Sequence, residues 1–195
     1  MVWKNDQVSK LETEKILELA RESLSCEGDF VELGCYKGDT SLMLAEILKN
    51  EGSSKKLWIY DSFEGLPQKN DADESALGQE FRGGELFVTK REVKERFLRA
   101  GLPVPMIKKA WFKDLNEEDL PVKIAFAFLD GDFYESIRDS FEKINEKMSD
   151  GSVIIVHDYN NLALPGVKKA ADEWLIGKRI KTVVFQSMLI VYMIY

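Results

Sequence analysis

Histidine occurs once in this 195-residue chain, and cysteine only twice. One histidine with Cys26 and Cys35 makes neither a disulfide framework nor a zinc set, so reduced thiols in a cytoplasmic protein are expected. No apolar run approaches the roughly 18 residues of a membrane span. The start, Met-Val-Trp-Lys-Asn-Asp, lacks the basic-then-apolar shape of a secretory leader. Positive charge is scarce too: 27 Lys and Arg against 34 Asp and Glu leave a net charge of -7. The pairs Lys55-Lys56, Lys108-Lys109 and Lys168-Lys169 are short and read as solvated. The expected partners therefore include no nucleic acid and no membrane. There is no internal repeat and no low-complexity tract. The length suits one domain, residues 1–195, with a sizeable core.

The pattern along the chain alternates strands and helices. Ser9 and Glu12 make a capping-box signature ahead of a helix from Lys10 to about Leu24, with Leu11, Ile16, Leu19, Ala20 and Leu24 on its apolar stripe. Strands are predicted at Phe30–Leu33, Leu57–Asp61, Pro105–Lys108, Ile124–Leu129 and Val153–Val156. Helices are predicted after the first, fourth and fifth of these, with Asp39 or Thr40 as cap of the first. A long polar insertion, about 64–105, carries a helix over Thr89–Ala100 with Val93, Phe97 and Leu98 inward; a loop of this length reads as a lid or binding loop. Two last strands, separated only by Gln186-Ser187, form a hairpin, so the final strand is antiparallel. The sum is an α/β fold with a seven-stranded mixed sheet and helices on both faces. That count and the antiparallel end describe the Rossmann-like sheet of class I methyltransferases better than the parallel sheet of a dehydrogenase.

Chemistry is expected beyond the carboxyl ends of the strands, where ligands bind in open α/β sheets. Glu32-Leu-Gly34-Cys-Tyr-Lys-Gly38 is a glycine turn opening a helix, whose free N–H groups suit a carboxylate or phosphate. Tyr36 stands where a nicotinamide fingerprint has its second glycine and would crowd a pyrophosphate. S-adenosylmethionine (SAM) has none and tolerates it. Asp61 ends the second strand, where an acid can accept bonds from both ribose hydroxyls. Ser62 and Phe63 would flank an adenine, and Trp111 and Phe112 either cover its other face or simply pack in the core. Asp130 and Asp158 end neighbouring strands; converging acids either raise one pKa or bind a hard cation such as Mg²⁺. Three roles are open to His157: metal ligand, general base, or buried hydrogen-bonded residue. Successive strand residues face opposite ways, so His157 and Asp158 share a site only if the strand ends there. Asp132 is expected to cap the next helix.

Five blocks in order carry a family resemblance: Val31-Glu-Leu-Gly-x-x-x-Gly38, Tyr60-Asp-Ser-Phe-Glu-Gly-Leu-Pro67, Ala110-Trp-Phe112, Leu129-Asp-Gly-Asp-Phe-Tyr-Glu-Ser136, and Val156-His-Asp-Tyr159 with Gly166-Val167 and Ala170. Over about Phe30 to Trp174 the chain resembles the macrocin O-methyltransferase (TylF-like) family. The resemblance implies SAM- and Mg²⁺-dependent methylation of sugar hydroxyls of natural products. It implies SAM at Glu32, Gly34 and Asp61, and Asp130 as metal-ligand acid and base. Together these readings put SAM among Glu32, Gly34, Cys35, Tyr36, Gly38, Asp61, Ser62, Phe63, Trp111, Phe112 and Asp130. They put the metal on Asp130, His157 and Asp158, and catalysis on Asp130 and His157. Where the family has Asp-Asp-Tyr this chain has His157-Asp158-Tyr159, and a nitrogen ligand suits Mn²⁺, Fe²⁺ or Zn²⁺ better than Mg²⁺. The expected activity is O-methylation of a small-molecule hydroxyl by a homodimer. The alternative is a non-catalytic SAM- or nucleotide-binding module. A nicotinamide oxidoreductase is disfavoured by Tyr36 and the C-terminal hairpin.

Overall fold

A computed structural model of the chain describes residues 7–77 and 81–194. Seven strands form one sheet in the order β3-β2-β1-β4-β5-β7-β6. They are β1 (Asp29–Leu33), β2 (Leu57–Asp61), β3 (Met106–Lys109), β4 (Ile124–Leu129), β5 (Met148–Val156), β6 (Lys181–Phe185) and β7 (Met188–Met193). The first five pair in parallel, while β7 runs antiparallel to both β5 and β6. The hairpin turn places Gln186 at φ 56°, the left-handed geometry a two-residue connection needs.

Side-chain alternation sorts the core into two layers. Phe30, Phe126, Phe128 and Ile155 face α1 (Lys10–Glu22), α2 (Asp39–Asn50) and α3 (Lys90–Arg99). Val31, Leu33, Leu129 and Val156 face α4 (Tyr134–Ile144) and α5 (Pro165–Leu175). Every residue of β4 is buried, as expected of a central strand covered on both faces. Among the described residues no helix is long and apolar enough to cross a membrane.

Local signals explain most boundaries. Ser9 and Glu12 close the capping box of α1. Thr89 and Glu92 do the same for α3, where Val93 and Phe97 are buried as predicted but Leu98 is 66 % exposed. Leu11 lies outward as well, since α1 buries a narrower stripe than its sequence offers. For α2 neither Asp39 nor Thr40 is the cap: Gly38 holds that position without a side-chain bond. For α4 the cap position is Phe133, not Asp132.

The register decides where the chemistry falls. Leu33 pairs with Leu129, and Leu129 with Val156, so β1, β4 and β5 end level. The ladder then runs one residue further: Asp130 N donates to Leu33 O and His157 N to Leu129 O, each at 2.9 Å. Gly34, Asp130 and His157 therefore leave the sheet side by side. The crossing is tight. A Cβ on Gly34 would sit 2.0 Å from the Asp130 carbonyl oxygen, and Gly34 has φ +90°. Gly34→Ala is expected to destabilise the protein by about 2–5 kcal/mol, combining left-handed strain with overpacking. Urea unfolding checks this, and a midpoint matching the wild type would contradict it.

Candidate active site

A cavity of about 280 Å³ lies over these strand ends. It is lined by Gly34, Cys35, Tyr36, Asp61, Ser62, Trp111 and Phe112, and beside them by Asp130, Gly131, Asp132, His157, Asp158 and Asn161. Leu66, Pro67, Phe81 and Leu86 of the insertion complete the wall. Three of the residues expected at the cofactor do not line it. Gly38 caps α2, and Phe63 turns into the core at φ 50°. Glu32 lies beneath, 1 % exposed, where its carboxyl accepts from the Ser41 hydroxyl.

Asp61 organises the glycine turn. Its Oδ2 accepts from Cys35 N at 2.9 Å and Tyr36 N at 3.3 Å, and its Oδ1 from Phe63 N at 2.7 Å. Three backbone donors hold this carboxylate in one orientation. A ribose diol reaching Asp61 would therefore meet acceptor oxygens already held in place. Arg96 of α3 secures the turn from outside, donating to Lys37 O and pairing with Asp39 Oδ1 at 2.5 Å each.

Beside this turn Asp130, His157 and Asp158 converge. One ligand atom from each lies within 4.8 Å of the others. His157 Nδ1 is 2.8 Å from Asp130 Oδ1 and 3.1 Å from Asp158 Oδ2. The two neighbours share the site because β5 stops at Val156 and the chain turns, with Asp158 at φ 56°. Asn161 pins that turn by donating to both Asp158 O and Asp158 Oδ1 at 3.0 Å. Burial opposes a charge on His157, but Asp130 and Asp158 outweigh it and hold the imidazole protonated well above its usual range. Burial likewise opposes the Asp158 charge, and His157 with Asn161 overrides it, leaving this carboxyl below its usual range.

Asp132 does not cap α4. At φ 61° it points its carboxyl to the cavity, where burial and the Asp130 and Asp158 charges hold it well above the usual carboxylate range. The α4 N-terminus is served instead by Asp73 of the insertion, whose Oδ1 accepts from Tyr134 N at 2.7 Å. The signal for Asp73 was Asn70-x-x-Asp73, the spacing of a capping box, which closes here around a short turn of 3₁₀-helix, Asp71–Asp73.

This sheet order and strand-end cavity define a Rossmann-like α/β fold of the class I methyltransferase kind. The chain belongs to the macrocin-O-methyltransferase (TylF) family, whose model matches residues 9–189. It is 34 % identical over 139 residues to the 8-demethyl-8-(2,3-dimethoxy-alpha-L-rhamnosyl)-tetracenomycin-C 4'-O-methyltransferase of Streptomyces olivaceus, a match covering 68 % of this chain and 53 % of that protein. It is 30 % identical over 153 residues to the demethyldecarbamoylnovobiocin O-methyltransferase of Streptomyces niveus, covering 75 % and 58 %. The chain thus spans little more than half the length of these relatives. The solved structure of the O-methyltransferase NovP superposes with a TM-score of 0.82 at 25 % identity, over 94 % of this chain and 79 % of that one.

Glu32 yields a pH prediction. Burial, then the Asp130 and Asp61 charges, push its carboxyl well above the usual range despite the Ser41 bond. The folded state thus holds this proton more tightly than the unfolded chain does. The resulting stability is fully present below the ordinary carboxylate pKa and is lost as pH rises through the folded value. Glu32→Gln is expected to flatten that loss. Its melting temperature should gain on the wild type toward neutral pH, by about 2–4 °C per kcal/mol recovered. Thermal melts across the acid-to-neutral range check this, and parallel curves would contradict it.

Proposed function

We propose that the protein is a SAM-dependent O-methyltransferase acting on a hydroxyl of a small molecule, with a deoxysugar of a natural product as the favoured acceptor. One observation carries the reading: the glycine turn with Asp61 and the Asp130–His157–Asp158 cluster line a single cavity over adjacent strand ends. Donor and acceptor can therefore meet in one enclosure, which is the entropic requirement for an in-line transfer. The two curated relatives, named for O-methylation of a rhamnosyl tetracenomycin and of a novobiocin precursor, support the choice of acceptor.

In this reading Asp61 and the Gly34–Tyr36 backbone hold the ribose and amino-acid end of SAM. Trp111 and Phe112, half-buried at the end of β3, cover the adenine. Asp130 takes the hydroxyl proton as the methyl group passes from sulfur to oxygen. Exposure decides between the two candidate bases: the Asp130 side chain is 22 % exposed and that of His157 only 5 %. The acceptor reaches Asp130, and His157 stands behind it and fixes its orientation. The lining carries the carboxylates of Asp130, Glu135 and Asp158 against the cations His157 and Lys113, with Asp139 paired to Arg138 at 2.6 Å, and offers no arginine among the described residues, which favours a neutral polyol over a phosphorylated one.

The donor set of Asp130, His157 and Asp158 fits a divalent cation, Mg²⁺ or a more nitrogen-tolerant ion, once the Nδ1 proton leaves. When bound, such an ion supplies Lewis acidity that lowers the pKa of a nearby hydroxyl. The test follows release of S-adenosylhomocysteine with methyl α-L-rhamnopyranoside and with catechol, before and after EDTA treatment. Asp130→Asn is expected to cut turnover by about 10²–10⁴-fold with SAM affinity nearly unchanged. Loss of SAM binding in step with turnover would contradict the role given to Asp130.

A further inference from the structure

The carboxyl group of Asp73 is 1 % exposed although it belongs to the insertion between β2 and α3. A buried carboxylate is costly unless its oxygens find donors. Here they are divided between elements. Oδ2 accepts from Asn70 N of its own loop at 3.2 Å, and Oδ1 from Tyr134 N, the first residue of α4, at 2.7 Å. No side chain of the α4 segment itself caps that helix. The Asp73 oxygens thus serve the free N–H groups of a helix start, although burial outweighs those donors and raises the carboxyl above its usual range.

A third element closes on the same oxygen. Gly166 is the second residue of α5, and a Cβ there would lie 1.9 Å from Asp73 Oδ1 and 2.9 Å from Tyr134 N. Only the absence of a side chain at 166 lets the carboxylate enter between the two helix starts. Two further contacts fasten the same stretch: Ser75 Oγ donates to Leu162 O at 2.8 Å, and Lys69 lies over the Phe133 ring at 5.6 Å. The three elements joined by Asp73 all contribute to the cavity wall that carries the Asp130–His157–Asp158 cluster. The insertion brings Leu66 and Phe81, the entry to α4 brings Asp130, Asp132 and Ser136, and the approach to α5 brings Asn161. The glycine turn is held separately, by Asp61 and Arg96.

We infer that Asp73 is a positioning residue for the methyl acceptor: it latches the insertion onto the starts of α4 and α5 and so sets the acceptor wall, without touching the donor end. The inference rests on the methyltransferase reading for its consequence, while the latch itself is testable without it. Three variants of the full chain separate the possibilities. Asp73→Ala removes both acceptor oxygens, Gly166→Ala keeps them but fills their space, and Asp73→Asn retains an oxygen for Tyr134 N–H. By hydrogen exchange, the peptides covering 66–77 and 133–138 should exchange about tenfold faster or more in Asp73→Ala and Gly166→Ala, and within about threefold of wild type in Asp73→Asn. Calorimetric affinity for S-adenosylhomocysteine should stay within about twofold in all three. With methyl α-L-rhamnopyranoside as acceptor, KM should rise about tenfold in the first two variants with kcat little changed. Unchanged exchange in Asp73→Ala, or cofactor affinity falling in step with exchange, overturns the latch. Should that variant not fold, the wild-type Tyr134 amide decides by itself. It should exchange at least about a hundredfold slower than a free amide, and exchange at the free rate overturns the proposal. Failure of the wild type to bind S-adenosylhomocysteine would instead strike the methyltransferase reading and leave the exchange result standing.

Discussion

The site depends on one backbone crossing, the place where Gly34 leaves β1 against the carbonyl of Asp130. Because β1 and β4 end level, the glycine turn and Asp130 emerge from adjacent strands within one residue of each other. The 2.0 Å clearance that a Cβ would have there leaves no room for any other residue. Everything built on the strand ends inherits this closeness. The glycine turn can lie beside Asp130 only because nothing projects between them. His157 joins the group through the same level register, one strand further along.

Closeness has an electrostatic consequence. Glu32, Asp61, Asp130, Asp132 and Asp158 crowd a small volume, and like charges at such range cannot all be ionised without compensation. The structure compensates each differently. Asp61 is surrounded by three backbone N–H donors. Asp130 and Asp158 share the His157 imidazolium. Glu32 and Asp132 have no such partner in charge, and both are pushed toward the protonated form. Within one small volume, then, Glu32 and Asp132 hold their protons tightly while Asp158 releases its proton readily.

Strands, helices and the hairpin were legible because their signals are local: apolar runs ended by glycine or aspartate, capping boxes, and a two-residue turn. Asp61, Asp130, His157 and Asp158 were legible because strand ends are where such folds bind ligands. What sequence reading missed depends on distant parts of the chain. Asp132 looked like a helix cap, but the helix start is taken by an acid 61 residues earlier, which frees Asp132 for the cavity. Leu98 fits the α3 stripe, yet that helix meets only the edge of the core and leaves it 66 % exposed. Phe87 is 59 % exposed, while its neighbour Leu86 lines the cavity at φ 58°. A left-handed residue exchanges which side chain faces inward, and no periodicity reveals it.

The insertion therefore has two anchors of different chemistry. At its C-terminal end, α3 reaches the donor turn through Arg96, a partly exposed pairing with Asp39 and Lys37 O. Nearer its start, Asp73 is sealed between two helix N-termini. Solvent screens the first more than the second, so added salt acts mainly on the donor anchor. The acceptor anchor is limited instead by geometry, since its carboxylate fits only while Gly166 leaves space. One segment thus touches both halves of the cavity through contacts that can be weakened independently. Under the proposed methyl transfer, that independence lets the support of one substrate be weakened while that of the other is kept.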